Sequence, residues 1–239
     1  MEEIKIQKII SNLGYCSRRE AEKLIEEGKV FVNGKRAEIG MRANVNDQIE
    51  INGKLLKAKQ KFIYLLLNKP RNTICSLNDP QGRKTIYQHM KIDDYVYSVG
   101  RLDFNTTGVI LITNDGDLAN FLAHPSSEIK REYIAELESQ LEIKSLNFLN
   151  SNFVKLNGKF SKQTVKHIKD KKYLVSLNEG RNHHVKNLFA LVNNQVIKLH
   201  RRSFGFLNDK ELKIGEFRQL NTTEIEKLKK LQQVKLKVS

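Results

Sequence analysis

The side chain best placed to do chemistry is Asp103. It stands in a polar bend, Asp103-Phe104-Asn105-Thr106-Thr107-Gly108, between the segment Val96–Leu102 and the apolar run Val109–Ile112. β-Branched and aromatic residues in the first segment predict a strand. The unbroken aliphatic run predicts a second strand, buried on both faces. A lone acid is thereby held at the lip of a buried hairpin, with Arg101 two residues before it. An ionised carboxylate so placed serves as a nucleophile or as a base. Asp and Thr also cap turns and bind local backbone N–H groups, and on spacing alone that structural reading is preferred.

Two further stretches carry polar groups worth weighing. Lys130-Arg131-Glu132-Tyr133-Ile134-Ala135-Glu136-Leu137 alternates as a strand, with Arg131, Tyr133, Ala135 and Leu137 on one face. Glu179-Gly180-Arg181-Asn182-His183-His184-Val185-Lys186 reads as a strand end, a glycine turn and a helix start, with Asn182 as the cap. Val185, Leu188, Phe189 and Val192 give that helix its core face. His183 and His184 are adjacent, so on a helix they point apart and make a poor metal site. Residues 180–208 hold five Lys or Arg, three His and no acid, an electropositive wall.

The bulk numbers agree with a polyanionic partner. Over 239 residues, 42 Lys and Arg against 27 Asp and Glu give a net charge of +15. Such an excess favours nucleic acid. The competing partner, an anionic membrane surface, lacks a long amphipathic helix to support it. No window approaches the roughly 20 apolar residues of a membrane span, and Met1-Glu2-Glu3-Ile4-Lys5 lacks a signal peptide's apolar core. Two cysteines far apart, Cys16 and Cys75, suit a reducing cytoplasm and argue against a disulfide framework or a cysteine metal site.

The elements that must position these groups fall into two domains. In residues 1–60, Ile4, Ile6, Ile9, Ile10 and Leu13 sit at helical spacing and Gly14 ends that helix. Ser17-Arg18-Arg19-Glu20 has the form of a capping box opening a second helix, which stops at Gly28. Val30-Phe31-Val32 before Asn33-Gly34, and Ile49-Glu50-Ile51 before Asn52-Gly53, read as strands entering tight turns. Two short helices on a small sheet follow. The lysine-rich stretch Leu55–Lys61 marks the boundary, and residues 61–239 form the larger domain. Residues 1–60 hold 12 basic and 9 acidic side chains, so +12 of the charge lies in the larger domain.

That domain opens on a buried strand, Phe62–Leu67, ended by Asn68-Lys69-Pro70, with Tyr64 read as core. Asn78-Asp79-Pro80-Gln81-Gly82-Arg83 is a loop by composition. Asn114-Asp115-Gly116-Asp117 caps a helix through Leu118, Phe121 and Leu122, closed by Pro125. A helix in 141–160, paired strands Thr164–Ile168 and Tyr173–Leu177, a strand Ile197–Arg202 broken by Gly205, and a late strand Glu216–Leu220 follow. Thr223-Glu224-Ile225-Glu226 predicts a capping box for a last helix whose tail frays after Leu231.

Gly100-Arg101-Leu102-Asp103, then Thr106 or Thr107, Gly108, the aliphatic run and Thr113-Asn114-Asp115-Gly116, resemble the signature of RNA pseudouridine synthases, most of all the branch acting on ribosomal RNA. The 78–83 loop resembles that of the large-subunit enzymes. Ser17-Arg18-Arg19-Glu20-Ala21, Gly28-Lys29-Val30 and Val32-Asn33-Gly34 resemble the small RNA-binding module shared by a small-subunit ribosomal protein and some tRNA synthetases.

The resemblance implies an α+β fold: a two-helix and sheet RNA-binding domain, then a mixed, mainly antiparallel sheet with flanking helices and a central cleft. It implies isomerisation of a uridine in ribosomal RNA, the large subunit favoured over the small. Asp103 becomes the catalytic residue, through attack at C1′ or proton abstraction at C2′. Arg181 becomes its ionic partner, favouring the charged form and fixing its direction. Tyr133 packs on the target base, and Arg101 supports the RNA that the base leaves. Arg18, Arg19, Lys29, Lys35 and Arg36 in the first domain, with Arg131 and Lys186 in the second, are expected at RNA. Lys186-Asn187 replaces two arginines of the family pattern, which weakens phosphate binding on that helix. No metal, cofactor or membrane is expected, the partner being rRNA or a pre-ribosomal particle, with the protein a cytoplasmic monomer. Two rivals stand beside this reading: a non-catalytic assembly factor, and a glycosidase-type hydrolase, which would need a second motif-borne carboxylate.

Overall fold

A computed structural model describes residues 3–57, 61–77, 79–92 and 94–236. They form two compact units: Met1–Ile63 with Asp93–Tyr97 and Thr113–Asp117, and the rest of the chain. Expectations for Asn78, for residues 58–60 of the lysine-rich stretch and for the last three residues lie outside the described residues.

In the first unit, Ile4 is not helical. With Lys5 it forms β1 (Ile4–Lys5), because the extended Lys5 backbone delays the start of α1 (Ile6–Asn12). Gly14 takes the left-handed turn after that helix, at φ +76°. Ser17 Oγ accepts from Glu20 N at 3.1 Å and opens α2 (Arg18–Glu26). The strands are β2 (Val30–Val32), β3 (Lys35–Arg36), β4 (Arg42–Ala43), β5 (Ile49–Ile51) and β6 (Lys54–Leu55). β1 pairs with β4, while the other four order as β3-β2-β5-β6. Both Asn-Gly turns have positive φ at each residue, which suits a hairpin of right-twisted strands. Ile6, Ile9, Ile10, Ala21, Ile25, Val30 and Ile49 are among the core residues.

The second unit begins with β7 (Tyr64–Lys69), buried along its whole length, Lys69 included. Thr85 and Gln88 form a capping box for α3 (Ile86–Met90). The strand expected over Val96–Leu102 shrinks to β8 (Tyr97–Ser98), because Gly100 turns into the left-handed region at φ +71°. β9 (Thr107–Thr113) is wholly buried, as the aliphatic run requires. After α4 (Gly116–Ala123) and a 3-10 turn at Pro125–Ser127 come β10 (Arg131–Leu137), α5 (Ile143–Leu149), β11 (Lys155–Leu156) and β12 (Lys159–Phe160). Then follow β13 (Gln163–Lys169), β14 (Lys172–Leu177), α6 (His184–Ala190), β15 (Val196–Phe204), β16 (Leu207–Asn208), β17 (Phe217–Gln219) and α7 (Thr222–Leu236).

The main sheet orders as β13-β14-β10-β15-β9-β7-β17, with β16 on β15 and β8 on β9. It is mixed: β15 meets β9 in parallel, whereas β13–β14, β14–β10, β10–β15 and β7–β17 are antiparallel. Two caps differ from expectation. His183, not Asn182, is the N-cap of α6, since its φ of +52° turns the chain there. Asn221, not Thr223, caps α7: its Oδ1 accepts from Glu224 N at 2.9 Å, and Glu224 Oε2 accepts from Asn221 N at 3.0 Å. That helix runs on through Leu236 rather than fraying after Leu231.

Candidate active site

The bend carrying Asp103 is fixed from below. Thr106 N donates to Asp103 O at 3.0 Å, closing a tight turn. Lys69, fully buried at the end of β7, points its ammonium into that turn. It donates to Thr106 O at 2.9 Å, Pro70 O at 3.0 Å and Phe104 O at 3.4 Å. Burial pulls the Lys69 ammonium down to about 8, against the opposing pull of Cys75 and Asp103. Sequence alone marks Lys69 only as the end of a strand. A lysine one residue beyond an unbroken apolar run, directly ahead of a proline, is the available signal.

Asp103 is about one-third exposed and opens onto a cavity of about 730 Å³, bounded by Arg101, Phe104, Arg83 and Arg181 among others. A recess of about 60 Å³ beside it brings in Tyr133, Leu199 and Val185. The structure therefore gathers Arg101, Asp103, Tyr133 and Arg181 around one cleft. Tyr133 is buried on β10, on the face that the strand alternation assigned to it.

The ionic partner of Asp103 differs from expectation. Lys186 Nζ donates to Asp103 Oδ2 at 2.6 Å, and His183 Nε2 lies 3.5 Å from Oδ1. Arg181 turns instead to Glu179 Oε1 at 2.7 Å and donates to the carbonyls of Leu156, Lys159 and Phe160. Its planar fork is filled by the β11–β12 hairpin and a carboxylate two residues back, whereas Lys186 projects from α6 toward the bend. Lys186, expected at phosphate, is thus the residue on the acid.

Arg131 is also corrected. It is buried, donates from Nη1 to Ile129 O at 2.9 Å and to Asn178 O at 3.2 Å, and lies over the Phe204 ring. Facing the core beside Tyr133, it is closed to an RNA backbone. His184 is buried with Nε2 2.7 Å from Ser161 Oγ, while His183 faces Asp103, so the two imidazoles do diverge. Burial pushes His184 down to about 4. No cluster of potential metal ligands occurs among the described residues, nor a helix long and apolar enough to cross a membrane.

In the first unit Arg18 and Arg19 are exposed on the first turn of α2. Lys35 and Arg36 are exposed on β3, and the Arg36 guanidinium lies over Gly28, where a Cβ would sit 2.4 Å from Nη2. Lys29 is exposed but paired with Glu27 at 2.6 Å.

Comparison with known proteins adds a family to this geometry. Residues 63–191 match the RNA pseudouridylate synthase family and residues 4–49 match the S4 domain. The chain is 39% identical over 235 residues to the ribosomal large subunit pseudouridine synthase B of Bacillus subtilis, covering 95% of this chain and 96% of that protein. It is 36% identical to the protein of the same name from Escherichia coli K12, covering 95% and 82%. A crystal structure of a pseudouridylate synthase superposes with a TM-score of 0.68 at 30% identity, over 94% of this chain and 99% of that one.

Proposed function

Because the chain belongs to the RNA pseudouridine synthase family, with an S4 domain ahead of the synthase domain, we propose that it isomerises a uridine of large-subunit ribosomal RNA, with Asp103 as the reacting carboxylate. The observation that carries this reading is the Lys186–Asp103 pair of 2.6 Å at the mouth of the cleft. The pair gives the acid a direction and a counter-charge, and Asp103 keeps one oxygen directed toward His183 and the cavity.

The reaction breaks the bond from N1 of uracil to C1′, turns the base and forms a bond from C5 to C1′. The hydrogen released from C5 is balanced by the one gained at N1. Asp103 starts it by attack at C1′ or by taking the hydrogen at C2′, and both routes use the carboxylate form. Tyr133 supplies a flat wall for the uracil, and Arg101 stands where it supports the RNA vacated by a base leaving its stack. Arg181 shapes the cleft by holding the 155–160 hairpin. We assign residues 1–60 to RNA docking through Arg18, Arg19, Lys29, Lys35 and Arg36, and residues 61–239 to catalysis, in a cytoplasmic monomer working on rRNA or a pre-ribosomal particle. The net charge of +15 supports a polyanionic substrate.

The test is to incubate the purified protein with unmodified large-subunit rRNA and map pseudouridine site by site, with Asp103→Asn in parallel. One new site that disappears with Asp103→Asn is the expected result. Modification of small-subunit rRNA alone would overturn the substrate, and activity in Asp103→Asn would overturn the role of the acid.

A further inference from the structure

The two sides of the cleft meet along one seam of the sheet. Asp103 precedes β9, whereas Tyr133, His183 and Lys186 belong to β10 and to the turn and helix ahead of β15. β9 and β15 are neighbours in the order of the main sheet and join these sides. Their parallel ladder registers His200 with Thr107 and Arg201 with Gly108, while β10 pairs antiparallel with β15 along Arg131–Leu137, with register shifts at Glu132/Tyr133 and Glu136/Leu137. A ladder that short fixes the relative position of two half-sheets poorly by itself, and parallel pairing is slightly weaker per residue.

Side chains reinforce the seam on both surfaces. On the surface shared with Leu199, which lines the recess, Arg201 Nε donates to Val109 O at 2.7 Å. Gly108 lets the two backbones touch there: a Cβ would lie 2.2 Å from Arg201 O. Strand alternation sends His200 to the opposite surface. There His200 Nδ1 lies 2.7 Å from Thr107 Oγ1, and His200 Nε2 lies 2.6 Å from Asp209 Oδ2. A carboxylate on one ring nitrogen orients the imidazole and leaves the other nitrogen for the hydroxyl. Thr107 directly follows Thr106, whose N–H closes the Asp103 turn.

We propose that Thr107, His200 and Asp209 are positioning residues, a clasp behind the cleft that sets where Asp103 stands against Lys186. The inference rests on Asp103 being the reacting carboxylate. The clasp touches neither RNA nor reacting atoms; it acts through the backbone of residues 103–107. A displacement of a fraction of an ångström at Thr107 passes directly to the acid, and misplacement by about 1 Å costs on the order of 100-fold in rate.

The experiment measures single-turnover rates at saturating rRNA, RNA affinity and thermal stability for Thr107→Val and Asp209→Asn. Thr107→Val keeps side-chain volume and removes the hydroxyl. The expected result is a rate about tenfold lower with RNA affinity within about twofold, restored by Thr107→Ser. In a Lys186→Met background, Thr107→Val should cost much less, because the pair that the clasp aligns is already gone. An unchanged rate in both variants, a loss that only tracks the unfolded fraction, or an equal loss in the Lys186→Met background would overturn the clasp. Asp103→Asn is run alongside. Activity in that variant would refute the reading of the acid, whereas an inactive Asp103→Asn beside fully active Thr107→Val and Asp209→Asn refutes the clasp alone.

Discussion

The two sides of the cleft are held in opposite ways. On the acid side, β7 and β9 are buried throughout, and a buried ammonium ties together the carbonyls of Phe104 and Thr106 within the bend. On the basic side, α6 spans seven residues and starts from a left-handed histidine that makes no side-chain capping bond among the described residues. Its two groups at the acid, Lys186 and His183, are 35% and 51% exposed. The carboxylate is therefore the fixed point, and the basic side chains that meet it are the adjustable partners. That division suits a site where the reacting atom must be placed accurately while a large polyanion enters and leaves.

Removing the buried ammonium should break this asymmetry most severely. Lys69→Met leaves the carbonyls of Pro70, Phe104 and Thr106 without their shared donor, at about 1–3 kcal/mol for a buried unsatisfied group. Expected are a lower melting temperature and a rate loss on the order of 100-fold, read by thermal denaturation and single-turnover pseudouridine formation. The pH dependence has a definite sign. The folded-state value of about 8 lies below the ordinary 10.5, so between those values the unfolded chain binds more protons. This group's contribution to stability thus rises with pH through that window. Over the same window Lys69 loses its proton and one of its three donors, so the rate should fall while stability from this group rises. Lys69→Met should lack both limbs; an unchanged wild-type profile would refute the assignment.

Next in size is the contrast between the two cations near the acid. Lys186→Met should lower the single-turnover rate by about 100-fold, because the acid loses its only ion pair of normal length among the described residues. Arg181→Met should act first on the β11–β12 hairpin, raising its amide hydrogen exchange, with a rate loss about tenfold smaller than that of Lys186→Met. The reverse order of rate losses would return the role of ionic partner to Arg181.

That contrast also marks what the sequence could tell. Asp103, its bend and the buried β9 were legible because a run of aliphatics beside a polar turn leaves little choice of structure. Tyr133 was legible from period-two alternation. The partner of Asp103 was not. Arg181 and Lys186 stand on the same short stretch, and only the backbone turn at His183 decides which one reaches across. Arg131 misled for a related reason: alternation correctly put it on the face of Tyr133, but that face is buried, and carbonyls and an aromatic ring take up its charge. Lys69 was not legible because a lysine at a strand end is usually solvated, and burial at that point depends on residues 35 and more positions away.

The smallest effect at neutral pH belongs to the histidine that faces away from the acid. His184 is buried against Ser161 and pushed down to about 4 from an ordinary 6.5 by burial. Between those values the unfolded chain binds more protons than the folded one, so this residue withdraws stability as pH falls through 6.5 toward 4. A shift of that size corresponds to at most about 3 kcal/mol at pH 4 and almost nothing at pH 7. His184→Gln keeps a polar side chain for Ser161 and removes the titration. Denaturant unfolding at pH 7.5 and pH 4.5 should show the variant within about 1 kcal/mol of wild type at the higher pH and losing distinctly less stability on acidification. Parallel losses in the two proteins would mean that His184 keeps its proton affinity on folding, and that the inward side of α6 is wetter than its burial indicates.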